Sequence, residues 1–151
     1  MKKSLPLLLS LLTVSMGANA AGLSEADRAA IENKLEAVEA MWSEGDYEGI
    51  ARSLYVEETR ITGEDTPDVY TGMESLTGLV EYLVDTSNAV ELTLVQASPV
   101  GEIGVISWVN WYVTPTEGED FVMKSLMVWE QHDGDWKVMA DMYAAGEIDE
   151  G

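Results

Sequence analysis

The second half of the chain alternates hydrophobic and polar residues with the period of a β-strand. In residues 119–145, two runs rich in Val, Met, Trp and Tyr flank the connection at residues 132–135. This connection contains Asp-Gly, which is typical of a tight hairpin turn. Residues 90–98 and 103–114 are also rich in β-branched and aromatic residues, so they are predicted strands too. The pattern predicts four long antiparallel strands in succession.

The first half of the chain follows the helical period instead. Apolar side chains recur every three or four residues over residues 24–44 and again in a shorter stretch that ends near Leu54. Ser24 and Asp46 are the expected N-caps, because their short side chains can accept hydrogen bonds from free amides of the first turn. Gly45 is expected to end the first helix. Two helices are therefore predicted before any strand.

A third helix is predicted between these helices and the long strands. Thr71 and Glu74 have the spacing of a capping box, and the apolar residues that follow keep the helical period as far as Asp85. Before this helix, residues 59–62 and 69–71 flank an acidic loop that contains Gly and Pro, and are predicted short strands.

This order of elements predicts an α+β fold. Three N-terminal helices would pack in the concave face of a curved, mostly antiparallel sheet. Such a sheet folded around helices forms a cone with an apolar pocket at its open end, which is the expected place for a small ligand.

The N-terminal residues have the layout of a secretory signal peptide. Lys2 and Lys3 precede a short apolar run, and small residues lead to Ala20. The run is shorter than the roughly 20 residues that a membrane-spanning helix needs. We therefore expect cleavage after Ala20, one domain over residues 21–151, a periplasmic or secreted location, and no membrane association after cleavage.

Composition limits the class of partner. The chain has 28 Asp and Glu residues against 8 Lys and Arg, a formal net charge of −20. Nucleic acid is not an expected partner, because phosphate binding needs a basic patch. A solvated acidic surface explains the charge, and divalent cation binding is the alternative. The chain has no Cys, so its fold must rest on packing without disulfides.

Few motifs of known chemistry are present. His132 is the only histidine, and it lies in the predicted hairpin turn, where an exposed loop residue is the simplest interpretation. Residues 133–135 lack the ligand spacing of an EF-hand. The chain also lacks a Gly-rich phosphate loop, a nucleophile elbow and an HExxH pair. No metal and no cofactor are expected.

Four stretches resemble a known family: WSEGDYEGIA at 42–51, LY at 54–55, VYTGMESL at 69–76 and VWEQHDGDWKV at 128–138. They are similar to the SnoaL-like branch of the nuclear transport factor 2-like superfamily, over about residues 24–145. The resemblance implies an α+β cone that is often a homodimer through the outer face of its sheet. Members include ketosteroid isomerase, polyketide cyclases, dehydratases and many domains with no assigned activity.

Ketosteroid isomerase chemistry can be compared position by position with this chain. It needs a Tyr donor, a carboxylate base and a protonated Asp. In the register implied by the resemblance, these roles fall at Val38, at Thr62, and at Met127 or Val128. None of these side chains can perform them, so the resemblance does not extend to that mechanism.

The residues of the ligand pocket are predicted on three grounds. The resemblance places side chains of the last strand and of the preceding long strand on its wall. Aromatic residues too numerous to face solvent add to it, as does Arg60, whose guanidinium could bind a ligand carboxylate or pair with Glu58, Glu64 or Asp141. The predicted members are Trp42, Tyr55, Arg60, Ser107, Val109, Trp111, Met127, Met139 and Tyr143.

Asp141 is the candidate catalytic residue. Strict alternation along the last strand puts it on one face with Met139 and Tyr143, and puts Trp136 and Val138 on the other. A carboxylate walled by Met and Trp would have its pKa raised by desolvation, toward the range of a general acid or base. The alternative is a hydrogen-bonded residue at the pocket rim that orients a neighbouring side chain.

Three functions remain open from the sequence. The first is an exported domain that binds a small apolar or aromatic molecule. The second is an enzyme of the lyase, isomerase or hydrolase type that uses Asp141 with Tyr55 or Arg60. The third is an interaction domain that dimerises through its sheet.

Overall fold

The structure of the protein is a computed structural model that describes residues 22–149. The predicted signal peptide, residues 1–20, lies outside the described residues. Between residues 22 and 149 the chain forms three helices and five strands. They are α1 (Glu25–Glu44), α2 (Tyr47–Leu54), β1 (Tyr55–Gly63), α3 (Met73–Asp85), β2 (Ser87–Val100), β3 (Gly104–Pro115), β4 (Phe121–His132) and β5 (Asp135–Ala145).

The five strands form one curved, mixed sheet in the order β1-β5-β4-β3-β2. Strands β2 to β5 pair as consecutive antiparallel hairpins, whereas β1 pairs with β5 in parallel. The helices pack on the concave face, with α1 against β2 and α3 against β1 and β2. The prediction of an α+β fold, with three helices in the concave face of a mostly antiparallel sheet, is confirmed. No helix among residues 22–149 has the length and apolarity to cross a membrane.

The first two helices begin and end as their sequences predict. The Ser24 hydroxyl accepts a hydrogen bond from the Asp27 amide at 3.0 Å, and the Asp46 carboxylate accepts one from the Gly49 amide at 2.9 Å. Gly45 ends α1 with φ +73°, a conformation that favours glycine.

Helix α3 begins in a different way from the one predicted. Its N-cap is Gly72, at φ +81°, and no side chain of the predicted Thr71–Glu74 capping box closes the first turn. Instead, the Met73 amide donates to the Glu57 carboxylate at 3.1 Å. The prediction was wrong because a residue on β1, distant in sequence, supplies the acceptor that a capping box supplies locally.

The acidic loop after β1 folds back onto that strand. A separate strand was predicted at residues 69–71, but the structure has a single β-bridge there, between Tyr70 and Ile61. The bridge is made by two backbone hydrogen bonds of 2.8 and 3.0 Å. Strand β1 also begins at Tyr55, directly after α2, instead of at residue 59. Both differences bring tyrosines to the open end of the cone.

Strand β5 contains a β-bulge that changes which side chains face inward. Adjacent residues of β4 pair with Val138 and Ala140, so the intervening Met139 is the extra residue. Asp141 therefore lies on the same buried face as Trp136 and Val138. The prediction that alternation separates these residues was wrong, because one inserted residue shifts the period of every side chain after it.

The inner face of the sheet also carries a buried polar pair. The Trp129 indole donates to the Ser107 hydroxyl at 2.8 Å, and both side chains are fully buried. Ser107 therefore satisfies a core donor that would otherwise have no partner. Leaving a buried N–H unpaired costs about 1–3 kcal/mol.

Replacing Ser107 with Ala is therefore expected to lower the free energy of unfolding by about 1–3 kcal/mol, because the Trp129 N–H loses its acceptor. Urea titration followed by circular dichroism measures the change. Ser98→Ala, at an exposed position of β2, is the matched control. An equal effect of the two substitutions would contradict this role for Ser107.

Candidate functional site

A cavity of about 520 Å³ opens between the helices and the inner face of the sheet, at the open end of the cone. Its size lies within the range of small-molecule pockets, about 300–1,000 Å³. Helices α1 and α3, the bridge after β1, and strands β1, β3, β4 and β5 all contribute to its wall. Its aromatic lining residues are Trp42, Tyr55, Tyr70, Tyr82, Trp111, Phe121 and Tyr143.

Asp141 stands in the wall of this cavity and is nearly buried, with 7% of its surface exposed. The Ser125 hydroxyl hydrogen-bonds its carboxyl group. The oxygen Oδ1 has no hydrogen-bond partner in the described part of the chain. Burial raises the pKa of Asp141 from 3.8 to about 7, and the Ser125 hydrogen bond offsets part of this rise.

Two tryptophans form the wall on the side of α1 and β3. Their rings meet edge to face, with centroids 6.3 Å apart and an interplanar angle of 61°. The Trp42 indole donates to the Ser87 hydroxyl at 2.9 Å. The Trp111 indole N–H is buried and has no acceptor among residues 22–149. The cavity wall therefore contains both a donor and an acceptor that the described chain leaves unpaired.

Tyrosine side chains surround the acid. Burial, and next the charge of Asp141, raise the pKa of Tyr55 well above its usual value. The pKa of Tyr143 is also raised, first by burial and then by Tyr70 and Asp141. These hydroxyls therefore stay protonated at neutral pH, and they can donate hydrogen bonds to a ligand or to the carboxylate.

Gly63 makes room for one of these rings. A Cβ atom built at Gly63 would clash with the ring of Tyr143. The absence of a side chain at Gly63 therefore allows the Tyr143 ring to pack against the backbone of β1, where it lines the cavity.

Several solved structures share this architecture. A candidate scytalone dehydratase from Novosphingobium aromaticivorans has a TM-score of 0.67 and 15% identity, covering 81% of this chain and 85% of its own. A ketosteroid isomerase-like protein from Erwinia carotovora atroseptica has a TM-score of 0.68 and 12% identity, covering 83% and 100%. An NTF-2 like protein of unknown function from Shewanella oneidensis has a TM-score of 0.68 and 12% identity, covering 78% and 98%.

The chain has the nuclear transport factor 2-like cone fold. The fold implied by the sequence resemblance is thus confirmed. At these identities the likeness extends to the fold alone. Comparisons with protein-family models and with curated proteins find no match.

Within the cone fold, five of the residues singled out by the sequence meet at one cavity. They are Trp42, Tyr55, Trp111, Asp141 and Tyr143.

The other five predicted pocket residues lie outside its lining. Ser107, Val109 and Met127 are on the same inner face of the sheet, but core side chains cover them completely. Met139 is the half-buried bulge residue. Arg60 is exposed between the buried residues Thr59 and Ile61, and it has no salt bridge with Glu58, Glu64 or Asp141 among the described residues. Arg60 faces away from the cavity because β1 alternates its side chains.

Ser125 and Tyr70 are two of the cavity residues that were not predicted from the sequence. Met127 of β4 pairs with Asp141, and Ser125 pairs with Tyr143. Ser125 therefore lies two residues before Met127, on the same face of the sheet as Asp141. The unbroken register of the last hairpin would instead pair Asp141 with Leu126, so Ser125 could be found only with the bulge at Met139. Tyr70 reaches the cavity only through its bridge to Ile61, and no local pattern indicates that contact.

The described residues hold no cluster of three or more His, Cys, Asp or Glu side chains placed to bind a metal ion. The chemistry that this site can support is hydrogen bonding, proton transfer at Asp141, and apolar contact with aromatic rings.

Replacing Asp141 with Asn is expected to remove a pH dependence of stability. The folded chain keeps the Asp141 proton up to about pH 7, whereas the unfolded chain loses it near pH 3.8. Stability from this group is therefore fully present below pH 4 and is lost as pH rises to 7, by roughly 4 kcal/mol at most. Asp141→Asn should be more stable than the wild type at pH 8, and the difference should shrink toward pH 4.

Urea titrations at several pH values between 4 and 8 measure this effect. Asp68→Asn, at an exposed position of the loop after β1, is the control and should follow the wild type. If the curves of Asp141→Asn and wild type stay parallel over this range, Asp141 does not hold a proton in the folded chain.

Proposed function

We propose that this protein binds a small, largely apolar or aromatic molecule in the cone cavity, outside the cytoplasm after removal of residues 1–20. The observation that carries the proposal is the cavity itself. It has about 520 Å³ of space, an aromatic lining and two unpaired polar atoms in its wall. The mass of the exported chain, which should begin at Ala21, checks the cleavage.

Apolar contact would supply most of the binding free energy. Aromatic side chains carry large apolar surfaces, and burying such surface contributes about 25 cal/mol for each Å² removed from water. A pocket of this size matches a small molecule. The rings of Trp42 and Trp111 meet edge to face, so a flat ligand would lie against one ring face and extend toward the sheet.

The two unpaired atoms would orient the ligand. Buried polar groups in proteins nearly always have a hydrogen-bond partner, so an orphaned donor and an orphaned acceptor at one cavity indicate that a ligand supplies theirs. The Trp111 N–H needs an acceptor, and Oδ1 of Asp141 needs a donor. The ligand is therefore expected to carry at least one polar group on an apolar body.

A screen of small aromatic molecules by thermal shift and tryptophan fluorescence tests this function. Leu79 lies on α3 and lines the cavity, so Leu79→Trp should fill it and weaken binding by about tenfold or more. Val100→Trp, at an exposed position of β2 outside the cavity lining, is the matched control and should bind like the wild type. The proposal fails if no compound binds, or if both variants bind equally well.

An enzyme of the lyase, isomerase or hydrolase type is the second candidate. Its support is a buried carboxyl with pKa about 7, which suits a general acid or base, beside the Tyr55 hydroxyl. Two of the similar structures are named for a dehydratase and an isomerase. Liquid chromatography with mass spectrometry of each bound compound, after incubation with excess protein, separates the two candidates: an unchanged mass and retention time favour binding alone.

A homodimer through the outer face of the sheet is a separate proposal about partners. Three central strands present a continuous apolar patch there, because Trp108 pairs with Leu126 and Leu126 pairs with Met142. Met142 is 58% exposed. Residues 146–149 lie along the border of this patch. Two hydrogen bonds between the Asn110 side chain and the Ile148 backbone hold them there.

Replacing Leu126 with Glu is expected to abolish this dimer, because it places a charge in the centre of the apolar patch. The net charge of −20 opposes self-association, so dimerisation of the wild type should increase between about 20 mM and 500 mM salt. Sedimentation velocity measures both effects. Ser98→Glu, an added charge at an exposed site of β2, is the control. A wild type that stays monomeric at high salt and high concentration would contradict the proposal.

A further inference from the structure

The cavity has an unusual charge balance. Its charged lining residues are Asp141 and, at the exposed mouth, Glu117. Among residues 22–149, no Lys, Arg or His lines it. A carboxylate ligand would therefore meet acidic groups with no cation to bind it.

The Asp141 carboxyl lacks the kind of partner that buried acids normally have. Buried carboxylates are usually paired with a cation or held by several hydrogen bonds, because desolvation is costly. Asp141 has only the Ser125 hydroxyl, and its Oδ1 has no partner in the described chain. Arg60 belongs to the neighbouring strand but points away from the cavity. When it ionises, Asp141 is therefore the anionic half of an ion pair for which residues 22–149 supply no cation.

The aromatic lining suits a cation as well. Electron-rich faces of Trp and Tyr attract ammonium groups, and rings arranged around a small space are a known means of binding amines. Trp42, Trp111, Tyr55, Tyr70 and Tyr143 all border the space that Asp141 faces. The same wall would hold the apolar body of an amine and solvate its positive group.

We propose that the cavity selects an apolar amine, a molecule whose protonated amino group pairs with Asp141 while its aromatic or aliphatic body contacts the surrounding rings. This inference rests on the proposed binding function and names the chemical class of its ligand. Neutral apolar molecules of the same shape would bind more weakly, and carboxylates would be excluded.

The pairing has a defined dependence on pH. The groups that face Asp141 are Tyr55 on β1, Tyr70 after β1, Ser125 on β4 and Tyr143 on β5, with Glu117 at the mouth. Burial raises the pKa of Tyr55 and of Tyr143, so these two hydroxyls stay protonated near neutral pH and Asp141 is the buried group that titrates. Because an ammonium group favours the ionised carboxylate, amine binding releases the Asp141 proton and should strengthen as pH rises from 5 to 8.

Three probes with one carbon skeleton test the inference. They are the amine 2-(1-naphthyl)ethylamine, the alcohol 2-(1-naphthyl)ethanol and the carboxylate of 1-naphthaleneacetic acid. Calorimetry at pH 5, 6.5 and 8 measures their affinities for the full exported chain. The amine is expected to bind about tenfold tighter than the alcohol at pH 8. Its advantage should shrink toward pH 5, and the carboxylate should not bind.

Two variants assign the selectivity to one residue. Asp141→Asn should keep alcohol binding and lose the preference for the amine, together with its pH dependence. Asp68→Asn, which removes an exposed acid of the loop after β1 outside the cavity lining, should keep both. Circular dichroism confirms that each variant is folded.

The outcomes separate the inference from the function on which it rests. If the alcohol binds as tightly as the amine at pH 8, or if Asp141→Asn keeps the preference, amine selectivity is overturned while the binding function stands. If none of the three probes nor any compound of the wider screen binds, both are overturned.

Discussion

A buried carboxyl group that has no cationic partner among residues 22–149 is the constraint that shapes this cavity. Removing a charge from water is costly, so Asp141 tends to keep a proton, and burial raises its pKa to about 7. The cost persists because neighbouring strands hold the residue in place, with Ser125 supplying a side-chain hydrogen bond to its carboxyl group. Part of the stability of the fold is therefore lost in order to keep an acid at the open end of the cone. Such local costs are typical of sites that bind or react.

The bulge at Met139 is the backbone feature that produces this arrangement. Without the extra residue, Val138 and Asp141 could not face the same side of β5. The bulge lets one strand contribute Trp136 and Val138 to the closed part of the core and Asp141 and Tyr143 to the cavity. Helix α1 and strand β2 complete the wall through the hydrogen bond from Trp42 to Ser87. The bulge at Met139 thus decides which side chains of β5 reach the cavity.

Much of the fold could be predicted from local patterns, because helical period, strand alternation and the Asp-Gly turn are properties of neighbouring residues. Asp133 and Gly134 both adopt positive φ, as a tight hairpin of this kind requires. The predictions that were wrong concerned contacts between residues that are distant in the sequence. Glu57 caps α3 from β1, and Tyr70 joins β1 by one bridge, so neither contact leaves a signal in adjacent residues. The site was predicted in part for the same reason: Ser107 and Val109 are on the correct face, but burial depth depends on which helix covers them.

Asp141 shows most clearly what local sequence patterns could not predict. The sequence indicated a cavity-lining acid, but strict alternation assigned it the wrong neighbours, since Met139 resembles any other strand residue. The most direct test of the account is the pKa of this one group in the folded protein without ligand, measured by the ¹³C shift of the Asp141 carboxyl as pH is varied. The account predicts a midpoint of about 7. A midpoint near 4 would show that the carboxyl is solvated, and would contradict the central claim.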